Sequence, residues 1–507
     1  MSRRPLLALL LLGACRPEEP PRPPADLAFP IPDGGPFVIP GHQSRTLLRG
    51  TLVTPDEAYE GTILIEGATL ACVAAGEYCA NLPEAAGATV VDSDGIIAPG
   101  LIDTHNHILF DIFDNDDWSP AKRYLNHDEW PKEARYQAML DVKQCLEDAS
   151  IGKPAWCPGK YDGAGSLRCE MLKWGELKGL LAGTTSIVGL PGNHSPCFAS
   201  LARTVDGQFS GLAGSDAIQT SSLFPPSTEA ADIACRNMAS GKTRAYLIHC
   251  GEGLDFRSRD ELNKLFTAPT QDGCLFHPAT VITHGTAFEP ADFQRLATAG
   301  MKLTWSPQSN VSLYGATTNI PAALEAKVLV TLGPDWSMGG SQNLLDELRF
   351  ADRWDNDHFK NRLTAADLVR MATVNGAKAL GLGDKLGNLA TGLLADLVVI
   401  RGDRRRPYEA IVNATPLDVR LTIVNGKALY GDWELRAVGP AEPGCEALNL
   451  CGRAKFLCVA TKQAENKLDQ TLEQIQTALE TALKDVDQLT PKDGWSFAPL
   501  APLYRCP

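Results

Sequence analysis

Six side chains in this sequence have the types needed for metal-assisted hydrolysis, and each follows an apolar run. His105 and His107 close "GIIAPGLIDTHNHI"; His249 and Glu252 fall in "RAYLIHCGEG"; His284 ends "ATVITHG"; Asp335 ends "KVLVTLGPD". Two histidines at i and i+2 of an extended segment project to the same side. Imidazole nitrogens with one carboxylate suit a divalent, zinc-like ion that keeps a position open for water. Water held there is acidified toward neutral pH and becomes a nucleophile. Hydrolysis also needs a base for the water's proton, an acid for the leaving group and a donor for the developing oxyanion or amine. Asp103 reads as an outer carboxylate that supports the histidines by hydrogen bonding. His194 in "GLPGNHSP", Asn310 in "WSPQSN" and Trp336 are pocket candidates. His42, His127, His277 and His358 read as satisfied core or surface groups.

Residues so far apart meet only if the fold gathers them. Between 95 and 384, apolar strands alternate with helical stretches, which implies a parallel sheet with right-handed crossovers. The length fits a closed α/β barrel, whose strand C-termini share one face. Closure needs two strands between "GTTSIVG" and "AYLIHC". "AIQTSSLF" is clear, and a segment near "ASLARTV" is doubtful. The flanks, 44–94 and 385–437, are strand and turn and should meet as one small β domain, with Asn425-Gly426 a strong hairpin turn. Residues 110–170 form a long insertion expected to overhang the barrel mouth. Its acidic run "DIFDNDDWSP" reads as a solvated loop, with a calcium-like site as the alternative. In 438–507, Leu468, Leu472, Ile475, Leu479, Leu483 and Val486 make one apolar helical stripe, expected to pack on the barrel rather than in a coiled coil.

The chain has 507 residues, 44% hydrophobic and 21% charged, which is ordinary for a globular protein. A formal net charge of −14 argues against nucleic acid as a partner. "MSRRPLLALLLLGAC" has the charged, apolar and small-residue regions of an export signal over 1–14. Its ending resembles a bacterial lipobox with Cys15 as the lipidated residue; an ordinary secretory signal cleaved nearby is the alternative. The proline-rich 15–43 would then be a tether. The expectation is an exported body, lipid-anchored to a bacterial membrane through Cys15, with the oligomeric state open. Of 14 cysteines, Cys15 and Cys250 are set aside, leaving enough for six disulfides. Cys72 with Cys79, and the set Cys445, Cys451, Cys458 and Cys506, suit such bridges. No CxxC spacing supports a zinc ribbon.

The combination "PGLIDTHNH", "HCGE", "THG", "GPD" and "LGNLATGLLADLVVI" resembles the amidohydrolase superfamily over roughly 45–437. The pattern is most similar to the branch of cytosine, guanine and S-adenosylhomocysteine deaminases and triazine chlorohydrolases, with "WSPQSN" like its P-x-S-N segment. The resemblance implies a (β/α)8 TIM-like barrel (95–384), a β-sandwich built from both flanks, and a helical, cysteine-containing extension (438–507). It implies that His105, His107, His249 and Asp335 bind one divalent metal, zinc first and iron as the alternative. Asp335 would also accept the water's proton, Glu252 would protonate the substrate's ring nitrogen or leaving group, and His284 would polarise the attacked centre. Cys250 should point away from the pocket. The carboxylated lysine that bridges two metals in many relatives has no counterpart, because Lys173 and Lys178 lie in a helical stretch. The implied reaction on a small-molecule substrate is hydrolysis at a C–N bond, most simply deamination of an aminated ring. The alternatives are amide, cyclic-amide or carbon–halogen hydrolysis, or a metal-retaining binding lipoprotein without turnover.

Overall fold

Residue Gly100 links two sheets of opposite character. Before it runs a long strand of a mixed sheet, Ala88–Pro99; after it comes the first of a series of short parallel strands, Leu101–Asp103. A Cβ at Gly100 would lie 2.3 Å from the Thr185 side chain, so the close approach at this junction requires glycine. The structure, a computed structural model, describes residues 35–189, 197, 200–207, 210–212, 214, 216–222, 224–268, 272–489 and 495–506. Cys15, the signal region, most of the tether and His194 lie outside the described residues.

The parallel strands form two hydrogen-bonded arcs. One holds Leu101–Asp103, Thr184–Ile187 and Arg203–Thr204; the other runs Ile218–Ser221, Ala245–Cys250, Thr280–His284, Lys302–Trp305 and Leu329–Leu332. Both segments between "GTTSIVG" and "AYLIHC" are strands, the doubtful one only two residues long. The strands are mostly buried, as apolar runs covered by helices on one side and by one another's side chains on the other must be. At one seam the arcs are stitched by main chain: Thr104 N–H donates to Leu332 O (3.3 Å), Asp335 N–H to His105 O (2.9 Å) and His107 N–H to Asp335 O (2.6 Å). At the other, between Arg203–Thr204 and Ile218–Ser221, no ladder joins the described residues. The expected closed barrel therefore stands as an α/β fold of two parallel arcs sharing one sewn seam.

The flanks merge into one ten-stranded sheet. Ala88–Pro99 pairs parallel with His42–Val53 and antiparallel with Leu397–Ile400, so the N- and C-terminal flanks meet on one strand. The sheet begins before residue 44, because Phe37–Ile39 already pairs with Ala88–Pro99. Its own core gathers Leu48, Ile63, Ile97, Val399 and Phe456. Beyond 438 the extension is not helical throughout: the hairpin Glu446–Leu450 and Arg453–Leu457 lengthens this sheet before the helix Leu472–Leu489. That helix buries Ile475, Leu479, Leu483 and Val486 against the chain's own Arg168–Leu181 helix, and Leu468 lies ahead of its first turn. Among the described residues no helix is long and apolar enough to cross a membrane.

Twelve cysteines pair as six disulfides and Cys250 is a buried free thiol. The terminal set pairs within itself, Cys445 with Cys458 and Cys451 with Cys506. The second bridge holds a tail that clasps the insertion. Trp174 Nε1 donates to Ala501 O (3.0 Å), the Phe113 and Phe497 rings meet edge-on at 5.7 Å, and Arg505 Nε donates to Asp114 Oδ2 (2.7 Å). The acidic run is thus not a solvated loop. Asp111, Asp114 and Asp117 are buried, Arg505 meets Asp114, and the buried Lys178 ammonium faces all three. The neutralising cations sit far away in sequence, which is why the run alone looks exposed. Cys451–Cys506 closes a loop of 55 positions, for which chain entropy gives about 4 kcal/mol. A Cys451→Ser/Cys506→Ser variant should therefore unfold several degrees lower by calorimetry. Residues 111–117 should also exchange amide hydrogens faster.

Candidate metal centre

All described candidate ligands arrive at one end of the parallel strands. His249 is on Ala245–Cys250, His284 ends Thr280–His284, and His105, His107 and Asp335 follow the ends of the two strands at the sewn seam. His284 and Asp335 both have left-handed backbone (φ 73° and 74°), which costs a non-glycine residue about 1–2 kcal/mol. In each case the turn comes where a strand ends and its last side chain enters the site. Gly333 makes room for the seam, since a Cβ there would lie 2.5 Å from the His105 backbone nitrogen.

Ring centroids of His105 lie 5.1, 4.7 and 5.1 Å from those of His107, His249 and His284. Two overlapping triads share His105: one with His249 and His284, one with His107 and Asp335, and within each the ligand atoms lie within 4.8 Å of one another. His105 Nε2 is 2.9 Å and His107 Nε2 3.4 Å from Asp335 Oδ1. Yet His105 Nε2 is buried with no hydrogen-bond partner. Close approach without a hydrogen bond is the arrangement of donors aimed at a shared third point. Two atoms each bonded to one zinc-like ion at about 2.1 Å stand roughly 3–4 Å apart, so the donor set fits a divalent ion. Burial pushes the imidazoles of His105, His107 and His249 down to about 3, which keeps them neutral and able to ligate.

Hydrogen bonds fix the role each ring can play. His249 Nδ1 lies 3.2 Å from Ser221 O, and only an N–H can bond a carbonyl, so Nε2 is left with a free lone pair. His284 is wired the opposite way. Trp305 Nε1 donates to Thr317 Oγ1 (2.8 Å), the hydroxyl donates to Asn310 Oδ1 (3.2 Å), and Asn310 Nδ2 donates to His284 Nδ1 (2.9 Å). The proton of neutral His284 therefore sits on Nε2, which lies 3.7 Å from Glu252 Oε2. His284 therefore presents a donor on the side of Glu252.

Glu252 is buried, and its carboxyl rises to about 7, chiefly by desolvation, opposed by His127. Tyr314 O–H donates to Glu252 Oε1 (2.7 Å) and accepts from Trp130 Nε1 (3.0 Å). Neither Tyr314 nor Trp130 is legible as a site residue: one lies inside a helix, the other in the insertion. Asp103 holds the His105 backbone N–H (2.9 Å) and the Asn106 side chain (3.0 Å), so it shapes the strand end rather than an imidazole. Trp336 stands 5.4 Å from the His107 ring among Phe110, Trp118, Trp130 and Tyr136. His127 is not a bland surface group; its Nε2 lies 2.6 Å from Glu261, which also accepts from the Gly251 N–H beside Glu252. Cys250 is buried away from the cavity, as expected.

Comparison with known proteins agrees with this geometry. Residues 223–429 match the amidohydrolase family. Over that stretch the chain is similar to the amidohydrolase family. It is 28% identical over 405 residues, 75% of this chain and 92% of the relative, to a 5-methylthioadenosine/S-adenosylhomocysteine deaminase of Thermococcus onnurineus. It is 27% identical over 416 residues, 74% of this chain and 89% of the relative, to a 5'-deoxyadenosine deaminase of Methanosarcina mazei. Its fold is similar to a triazine hydrolase of Arthrobacter aurescens (TM-score 0.56, 18% identity, 79% of this chain and 97% of that one). It is also similar to the Escherichia coli guanine deaminase (TM-score 0.52, 18% identity, 76% and 99%). The family match and the His/Asp cluster together make the chain a metal-dependent hydrolase.

A ligand that binds only the folded state raises the unfolding midpoint. Zinc added to chelator-stripped protein should therefore raise the midpoint by several degrees, and elemental analysis should find one ion per chain. His105→Ala, which removes the ring shared by both triads, should abolish both effects.

Proposed function

We propose that the protein deaminates an aminated ring by hydrolysis at its C–N bond. The single observation that carries this reading is the buried, protonatable Glu252, held by Tyr314 next to the Nε2–H of His284. Amide hydrolysis at a two-metal site would call for a bridging lysine. Ring deamination instead calls for an acid that can protonate a ring nitrogen, and two similar proteins are named as deaminases of 5-methylthioadenosine/S-adenosylhomocysteine and of 5'-deoxyadenosine.

In this reading His105, His107, His249 and Asp335 would hold one divalent ion, zinc first and iron as the alternative. Bound there, such an ion supplies a Lewis acid that makes water nucleophilic near neutral pH. Asp335 takes a proton from the attacking water, since its carboxylate lies 2.9 and 3.4 Å from the His105 and His107 rings that would hold the ion. Glu252, protonated, donates to the ring nitrogen next to the attacked carbon, relieving the negative charge that addition places there. His284 donates from Nε2 to the tetrahedral centre, an arrangement that acts without reorganisation because Asn310 already fixes its tautomer. Burial excludes bulk water from all three groups. A binding protein that merely retained a metal would need neither the Tyr314–Glu252 bond nor the Asn310–His284 bond.

Glu252→Gln should keep its metal and lose activity by about 10²–10⁴-fold in steady-state assays of aminopurines and aminopyrimidines with ammonia as readout. Retained activity would sink the acid assignment. The acid works only while protonated, so kcat/KM should fall as pH rises through about 7. Tyr314 donates to the carboxylate and so favours its charged form. Tyr314→Phe should therefore move that falling limb to higher pH, measured as a pH–rate profile.

A further inference from the structure

Glu252 stands between two glycines, Gly251 and Gly253, with φ of 73° and 142°. A Cβ at Gly251 would run into the Phe288 ring, and one at Gly253 into Leu125 O. Glycine leaves a backbone its widest choice, so a turn of this composition does not fix its own side-chain direction. Tyr314 holds the tip of Glu252; its root is held by bonds from outside the turn. Ser258 Oγ donates to Glu252 O (3.1 Å). From the other side the insertion is laid along the turn. Asn126 pairs with Gly253, Leu254 N–H donates to Leu125 O (2.7 Å), and Asn126 Nδ2 donates to Asp255 Oδ2 (2.8 Å).

His127, the next residue of that insertion segment, reaches the turn through a buried carboxylate. Its Nε2 lies 2.6 Å from Glu261 Oε1, and Glu261 Oε2 accepts the Gly251 N–H (2.7 Å). Glu261 is buried on the helix Phe256–Thr267, which starts where the turn ends. One carboxylate thus ties the insertion to the residue before Glu252. We propose that His127 is a positioning residue for the acid: it holds Glu261, Glu261 holds the Gly251 N–H, and the root of Glu252 is thereby aimed. The inference rests on the reading of Glu252 as the acid. Burial opposes a charge on His127, but the Glu261 bond and the Glu252, Glu261 and Asp128 carboxylates outweigh it and raise the imidazole to about 9. Arg257 meets Asp128, and His249 and His284, which also face His127, are kept neutral by burial. His127 is therefore a cation at neutral pH. Desolvation raises the Glu252 carboxyl, His127 opposes that rise, and Asp335 and Glu261 add to it.

The test compares His127→Gln and His127→Leu in the metal-loaded full chain. Glutamine keeps a donor for Glu261 without the charge; leucine keeps neither. Amide hydrogen exchange in 251–257 reports on the clamp whatever the chemistry. It should speed up about tenfold or more in His127→Leu and stay near the parent in His127→Gln. Aminopurines and aminopyrimidines, with ammonia as readout, report on the acid. His127→Leu should lower kcat about tenfold or more with KM changed less than about threefold, because a misaimed acid loses rate rather than binding. His127→Gln should restore most of that kcat. Its falling limb of kcat/KM should lie at higher pH than the parent's, since Glu252 has lost a cation that favours its charged form. A histidine that only stabilised the fold would leave that limb in place. The proposal is overturned if His127→Leu leaves exchange and kcat as in the parent, if the loss falls on KM, or if the limb of His127→Gln does not move. Glu252→Gln, assayed alongside, separates the two readings. If it is inactive while the His127 variants behave as the parent, only the positioning role falls. If it stays active, the acid assignment falls, and exchange in 251–257 alone decides whether His127 holds the turn.

Discussion

Three main-chain hydrogen bonds between 104–107 and 332–335 hold the site together. They join the first and last parallel strands, so donors from opposite ends of the barrel region face each other at fixed distance. The side chains need no long reach, because the backbone itself brings His105 and Asp335 within 2.9 Å. The seam explains two otherwise costly features. Gly333 is bare because the His105 backbone occupies the space a Cβ would fill. Asp335 takes a left-handed conformation because its N–H and C=O both bond the first strand's end while its carboxylate must still turn into the site. Strain of this kind persists only where surrounding bonds over-determine it.

From this frame, two hydrogen-bond chains set the protonation of the groups that are not ligands. Each begins at an indole N–H, which can only donate. Trp305 starts the chain through Thr317 and Asn310 to His284; Trp130 starts the chain through Tyr314 to Glu252. A fixed donor at the outer end leaves each later member only one way to orient. The last link is thus an Nε2–H on His284 and an O–H aimed at the Glu252 carboxyl. The rings of His105, His107 and His249 are neutral for a different reason, which is burial. Lone pairs face one side of the reaction space and protons the other, and a water and a ring nitrogen require that division.

The ligand-type residues were legible because each ends an apolar run, and a parallel fold places all such ends together. His105, His107, His249, His284 and Asp335 needed no more than that pattern and their residue types. Asp103 was legible as a support, but whether it holds a ring or a backbone N–H depends on a strand-end geometry that spacing does not encode. Tyr314, Trp130 and His127 were not legible. Their helices and loops carry no periodic signal toward the site, and their meaning comes from partners 62, 184 and 134 positions away. The acidic run 111–117 misled for the same reason, since Arg505 meets Asp114 across 391 positions. The sheet flanks were legible by alternation, while closure of the parallel strands into a ring was an inference from length and is hydrogen-bonded at only one of its two seams among the described residues.

Chemistry and selectivity therefore come from different parts of the chain. The strand ends supply the donors that any hydrolysis of this kind uses. The insertion supplies Phe110 and Lys143, which line the cavity beside the histidines, and Trp130, which donates to Tyr314. A segment free to change its ligand must still be held firmly, because an acid misplaced by 1 Å loses much of its advantage. Here the holding is done from behind. Ser337, two residues after Asp335, donates its backbone N–H to Asp111 (3.2 Å) and its hydroxyl to Phe113 O (2.7 Å). Arg505 then caps the same loop from the C-terminal tail. The extension is in this way linked to the segment that follows Asp335 through the acidic loop. Its disulfide and the Arg505–Asp114 ion pair hold the insertion against the strand ends.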